Sequence, residues 1–162
     1  MQLGSVSVSS KDGLCRTKEK YLKPTDYNIY SCGKCYTYLF HKQQAIAFLD
    51  RLLIPHNQKV LVTIPDYKNT SRTHEICSIL TEDECQRWLS CCRSADNCCQ
   101  RQLSSSLPDL NTTCGRTWDG WGCWDDADAG SKNYLACPLF IQHSLPTQAY
   151  KTNQSNGLLY NV

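Results

Sequence analysis

Twelve cysteines in 162 residues constrain this chain more than any other feature. Four of them form adjacent pairs, Cys91-Cys92 and Cys98-Cys99, seven residues apart. A polar chain, with a mean hydropathy of −0.48, builds only a modest apolar core. Covalent staples formed in an oxidising compartment are the natural supplement. The competing reading is an intracellular cysteine-rich zinc or structural protein, because thiolates also suit zinc. Cys32-Gly-Lys-Cys35 could be redox-active or half a zinc site, yet no second Cys-x-x-Cys of matching spacing exists. For the two cysteine pairs, disulfides to Cys77, Cys15 or each other fit better than a metal.

Three glycosylation sequons, at Asn69, Asn111 and Asn153, favour secretion. The N-terminal run Met1 to Gly13 has neither a basic n-region nor an apolar h-region, so no signal peptide is read there. Tyr36 to Ile54, the most apolar stretch, is broken by His41, Lys42, Gln43, Gln44, Asp50 and Arg51, too many polar groups for a membrane span of about 20 residues. With 17 basic and 15 acidic residues interspersed, net charge is +2. That balance gives no footprint for nucleic acid.

Residues 1–30 read as mostly disordered. Lys42 to Ile54 gathers Ala45, Ile46, Phe48, Leu49, Leu52 and Leu53 on one helical face, ending at Pro55. Val60 to Ile64 reads as a buried strand, and Asp66 to Thr73 as a loop. Thr81 and Glu84 form a capping box. It opens a helix over Cys85 to about Leu103, with Cys85, Trp88, Cys92, Ala95 and Cys99 along its buried stripe. Beyond Asn111, short runs alternate with Gly, Asp and Pro, which suits short strands and tight turns.

Residues 114–138 hold three tryptophans within seven positions, Trp118, Trp121 and Trp124, flanked by Cys114 and Cys123. That apolar area must enter a small core or await a partner. Asp119 between them suits a tight turn as a hydrogen-bond acceptor. No second carboxylate or His stands beside it at a motif spacing, so a catalytic acid is not read there. No nucleophile–base pair, dinucleotide fingerprint or P-loop occurs, and no enzyme, cofactor or metal site is expected.

Cys114, Thr117-Trp118-Asp119, Cys123-Trp124, Gly130 and Cys137-Pro138 together resemble the hormone-receptor domain signature of family B (secretin-like) G-protein-coupled receptors. The run from Thr117 to Asp126 is most similar to the calcitonin-like branch, with the invertebrate diuretic-hormone and pigment-dispersing-factor receptors next. The resemblance implies a small disulfide-rich α+β domain, an N-terminal helix laid on two short antiparallel sheets. It places that domain at 76–152, after an unassigned extension at 1–75 carrying one amphipathic helix, and before a divergent tail at 153–162.

In such domains three disulfides join cysteines one to three, two to five and four to six. Cys114, Cys123 and Cys137 match the second, third and fourth. The first should sit on the helix, with Cys92 favoured over Cys85 or Cys99, giving a Cys92–Cys123 bond. No cysteine follows Cys137, so the domain reads as incomplete. Trp118, Asp119, Trp124, Gly130 and Pro138 are implied to be structural. Trp121 is implied to meet the ligand, with Gly120 allowing its approach, while Asp125 and Asp126 could steer a basic peptide. The implied partners are a peptide hormone and, through a transmembrane bundle missing here, a G protein. The implied location is the extracellular side of the cell membrane.

Overall fold

The capping box is where the longest helix begins. In the structure, a computed structural model describing residues 13–104 and 112–142, the Thr81 amide donates to Glu84 Oε2 at 2.9 Å, and the Glu84 amide donates to Thr81 Oγ1 at 3.3 Å. This reciprocal pair satisfies two of the amides that a helix start leaves open. The helix spans Glu82–Ser104 and buries Trp88, Leu89, Cys91, Cys92, Ala95, Cys98, Cys99 and Gln102. It is the axis on which everything else is pinned.

Numbered in chain order, the elements are β1 (Cys15–Arg16), β2 (Tyr21–Leu22), α1 (Pro24–Leu39), β3 (Ile46–Ala47), β4 (Leu52–His56), β5 (Lys59–Thr63) and α2 (Thr70–Cys77). The long helix is α3. It is followed by β6 (Thr113–Cys114), β7 (Thr117–Trp118), β8 (Cys123–Trp124), β9 (Ala127–Asp128) and α4 (Leu139–Gln142). Two short antiparallel sheets, β6–β9 and β7–β8, follow α3, with β7–β8 packed on it and tied to it through Cys123, and the whole is a small disulfide-rich α+β fold.

Five disulfides radiate from α3: Cys15–Cys99, Cys32–Cys92, Cys35–Cys91, Cys77–Cys85 and Cys98–Cys123. Three of them cross the boundary expected at residue 75, which itself falls inside α2. The region before it is therefore covalently part of the same body. Nor are residues 13–30 irregular: they form β1, β2 and the start of α1. Pro24 sits at the first turn of α1, where its missing N–H is not needed, and Asp26 complements the helix dipole. The buried face of α1 is built from Tyr27, Tyr30, Ser31, Cys32, Cys35, Tyr36 and Leu39. Cys32 and Cys35 are fully buried staples in mid-helix. Each pairs with a cysteine of α3 rather than with the other, which favours staples over a redox pair.

The helix expected over Lys42–Ile54 is instead a 3₁₀ turn followed by β3 and β4. Gln44 takes a left-handed conformation at φ 54°, which ends any helical run. Leu52 and Ile54 are buried while Leu53 is half-buried, a period of two rather than 3.6. Asn57 and Gln58, at φ 48° and 62°, close the β4–β5 hairpin with His56 opposite Lys59. Pro55 sits in β4 beyond the reach of β3, so its absent donor breaks no bond on that side. The strand expected at Val60 to Ile64 is β5, but it is not buried: Val60 and Val62 are exposed and only Thr63 is buried. The expected loop is cut short at Thr70, where Asn69 caps α2 by accepting from the Arg72 amide at 3.2 Å.

Candidate functional site

The cluster of tryptophans is organised by one carboxylate. Asp119 Oδ1 accepts from the amides of Trp121 and Gly122, both at 2.8 Å, and its Oδ2 accepts from Trp124 Nε1 at 2.7 Å. Three donors fix the turn between β7 and β8 and aim two indoles along one side of it. Trp118 alone goes inward, at 3% exposure. Trp121 and Trp124 remain half-buried, and with Leu135, Pro138 and Ile141 they wall a cleft of about 610 Å³. That volume and mainly apolar lining suit a ligand rather than ordered water. Asp119, Thr117 and Lys18 supply the polar lining.

Several expected site residues lie elsewhere. Gly120, at φ 104°, is buried beneath the ring of Tyr38, whose Cδ2 lies 2.9 Å from where a Cβ would stand. The space reserved for a ligand there is thus filled by α1. Asp126 receives the Arg116 amide at 2.6 Å and its guanidinium at 2.5 Å. Asp125 pairs with Arg101 at 2.5 Å. Both carboxylates therefore hold β8 and its following turn against neighbouring arginines.

Trp124 is a wall of the cleft rather than core, because its indole N–H is drawn to Asp119. Pro138 is likewise half-buried in that wall. Gly130, at φ 80°, is exposed in the turn closed by the Ser131 amide on Asp128 O at 3.0 Å. Its role is conformational.

The helix-to-sheet disulfide is Cys98–Cys123, not Cys92–Cys123. Six residues of α-helix rise about 9 Å, more than a disulfide spans, and Cys92 lies at the level of α1, bonded to Cys32. Cys99 holds β1 and Cys85 holds α2. Cys114 and Cys137, expected in the family's bonded set, carry thiols here, one exposed and one buried, and burial raises the pKa of the Cys137 thiol. Asn69 is exposed at the start of α2. Asn111, Asn153 and the tail at 153–162 lie outside the described residues. Ten of the cysteines pair at disulfide distance, an arrangement that favours covalent staples over a zinc site.

Sequence reasoning missed the contribution from before residue 75. Thr17 bridges Trp118 in parallel, and the Lys18 amide donates to Trp118 O at 2.9 Å, so this segment extends the edge of β7. Gln102 fixes the segment: its Oε1 accepts from the Arg16 amide at 2.5 Å and its Nε2 donates to Arg16 O at 3.1 Å.

The class defined by this fold is a small disulfide-braced α+β module bearing an apolar cleft. Residues 111–159 match the hormone receptor domain family. The chain is 40% identical over 52 residues to a calcitonin gene-related peptide type 1 receptor of Danio rerio, covering 32% of this chain and 11% of that one. It is 51% identical over 35 residues to a calcitonin receptor of Rattus norvegicus, covering 22% and 7%. A longer alignment, 24% identical over 145 residues, relates it to the G-protein coupled receptor seb-2 of Caenorhabditis elegans, covering 73% of this chain and 30% of that one. The chain thus spans less than a third of the length of these relatives. No solved structure matches it. Among the described residues no helix is long and apolar enough to cross a membrane.

Proposed function

We propose that this chain is the peptide-hormone-binding extracellular domain of a family B G-protein-coupled receptor, and that its ligand occupies the cleft walled by Trp121 and Trp124. The supporting observation is the cleft itself: about 610 Å³ of mainly apolar space, opening on the turn that carries the hormone-receptor signature. Half-buried indoles on a rigid turn lose little entropy on binding and act as anchors, where a few aromatic contacts carry most of the affinity. An amphipathic or turn-forming peptide would lay its apolar residues there, a helix-in-groove mode or a close relative of it. The parent receptor would hold this module at the outer face of the cell membrane and pass the peptide's other end to a transmembrane bundle that engages a G protein. The module binds and does not catalyse.

The test is a tryptophan-fluorescence titration of the oxidatively folded 162-residue chain with calcitonin-type peptides. Saturable binding that Trp121→Ala abolishes is expected. Binding indifferent to Trp121→Ala, or no binding by any of them, would count against this reading.

A further inference from the structure

We propose that Lys18, which precedes the matched hormone receptor domain, selects ligands that carry a carboxylate or similar anion beside an apolar segment. The inference rests on the cleft being the ligand site, and extends it to the chemistry of what enters.

Two charged side chains line the cleft, Lys18 and Asp119. Asp119 keeps its negative charge, but two amides and an indole N–H hold its oxygens toward the turn. None of the ion pairs among the described residues includes Lys18. The nearest carboxylate along the chain, Glu19, accepts from the Tyr30 hydroxyl and pairs with Lys34 at 3.4 Å. Those partners hold its pKa below the ordinary value, the tyrosine hydrogen bond first. Glu19 is thereby engaged on the α1 side.

The position of Lys18 is fixed although the residue is exposed. Its amide is bonded to Trp118 O, the adjacent Thr17 bridges the same residue, Arg16 is gripped by Gln102, and Cys15 is bonded to Cys99. A ligand lying on Trp121, Leu135 and Ile141 therefore meets, at the margin of an apolar wall, a cation whose ammonium is engaged by none of the ion pairs among the described residues. Apolar surroundings strengthen such a pairing relative to bulk water, and an unpaired cation discriminates against ligands that bring a second positive group. The ligand class is a peptide segment with a free α-carboxylate or an Asp or Glu next to its apolar anchor.

The test uses two probes with the same ring system. One is 8-anilino-1-naphthalenesulfonate, and the other is N-phenyl-1-naphthylamine, which lacks the anion. Both are titrated by fluorescence into the folded full chain. Lys18→Ala is expected to weaken the anionic probe about fivefold, the scale of a partly exposed charge pair, and to leave the neutral probe unchanged. Lys18→Arg should retain anion binding. Lys20→Ala, which makes the same change in net charge outside the cleft lining, should alter neither probe. Trp121→Ala should weaken both. Equal loss in the Lys18→Ala and Lys20→Ala variants, or none in Lys18→Ala, overturns the assignment while leaving the cleft intact. Binding of both probes unaffected by Trp121→Ala removes the cleft reading and this inference together.

Discussion

The ring of Tyr38 stacks on the indole of Trp121, with 5.3 Å between centroids and 25° between the planes. One residue lies on α1 and the other in the turn after β7, 83 positions later. The stack presses α1 against the cleft and leaves Trp121 one face for a ligand. An offset aromatic pair contributes about 0.5–1.5 kcal/mol beyond the area it buries. Tyr38→Ala should therefore red-shift tryptophan emission, speed acrylamide quenching and lower stability by about that amount, whereas Tyr38→Phe should change none of these. Quenching unchanged in the alanine variant would mean that Trp121 is positioned without α1.

The disulfide pattern makes a direct prediction for non-reducing peptide mapping. Fragments joining Cys98 to Cys123, Cys15 to Cys99, and residues 32 and 35 to 91 and 92 should appear, with none joining Cys92 to Cys123. Cys98→Ser should detach the β7–β8 sheet from α3. A loop of 25 residues implies a loss of about 3.5 kcal/mol on chain-entropy grounds. A recovered Cys92–Cys123 fragment would refute the register of α3 against the sheet.

Tyr38 and Lys18 also show where sequence reading reaches its limit. The capping box, the strand at β5 and the turn built on Asp119 were legible because each is a local pattern whose partners lie within a few residues. α1 was not, because its buried face is mainly tyrosines and cysteines with a serine, Leu39 being its one buried aliphatic, and so carries weak amphipathic contrast. The β3–β4 region was misread because Leu52, Leu53 and Ile54 fit either period, and because the hairpin turn uses Asn57-Gln58 without the glycine that usually marks it. In the cleft, Trp121 and Asp119 were visible from the motif. Leu135 and Ile141 follow it without a pattern of their own, and Lys18 reaches the cleft through a disulfide that no spacing rule predicts.

Gly120 and Gly130 separate crowding from backbone preference. Both have left-handed φ values, 104° and 80°, but a methyl at Gly120 meets the Tyr38 ring whereas nothing lies within 4 Å at Gly130. Gly130→Ala should cost about 1–2 kcal/mol, the left-handed penalty alone. Gly120→Ala should cost clearly more and should also disturb the Tyr38–Trp121 stack, seen as a change in near-ultraviolet circular dichroism. Adding Tyr38→Ala to Gly120→Ala should recover part of the difference. Strict additivity in urea denaturation would show that the two side chains do not compete for the same space.

Asp96 joins three parts of the chain and should make stability pH-dependent. Its carboxylate accepts from Asn28 on α1 at 2.9 Å and from the Tyr67 hydroxyl at 2.5 Å, and it pairs with Lys68 at 2.7 Å. Burial pushes the carboxyl up, but the bonds from Lys68, Tyr67 and Asn28 outweigh it, leaving the pKa below the ordinary 3.8. A carboxyl whose folded pKa is depressed stabilises the fold above its unfolded value and loses that contribution as pH falls through the folded one. Wild-type protein with its disulfides intact should therefore lose stability below about pH 4. Asp96→Asn should be less stable by about 1–3 kcal/mol at pH 7, because an amide cannot accept from all three donors. Its stability should fall less steeply between pH 5 and pH 2 than that of the wild type, measured by thermal unfolding. Parallel pH profiles for the two proteins would place the acid sensitivity on other carboxylates, such as Glu19 or Glu75, whose pKa values are also lowered, in each case first by a hydroxyl donor, Tyr30 or Thr63.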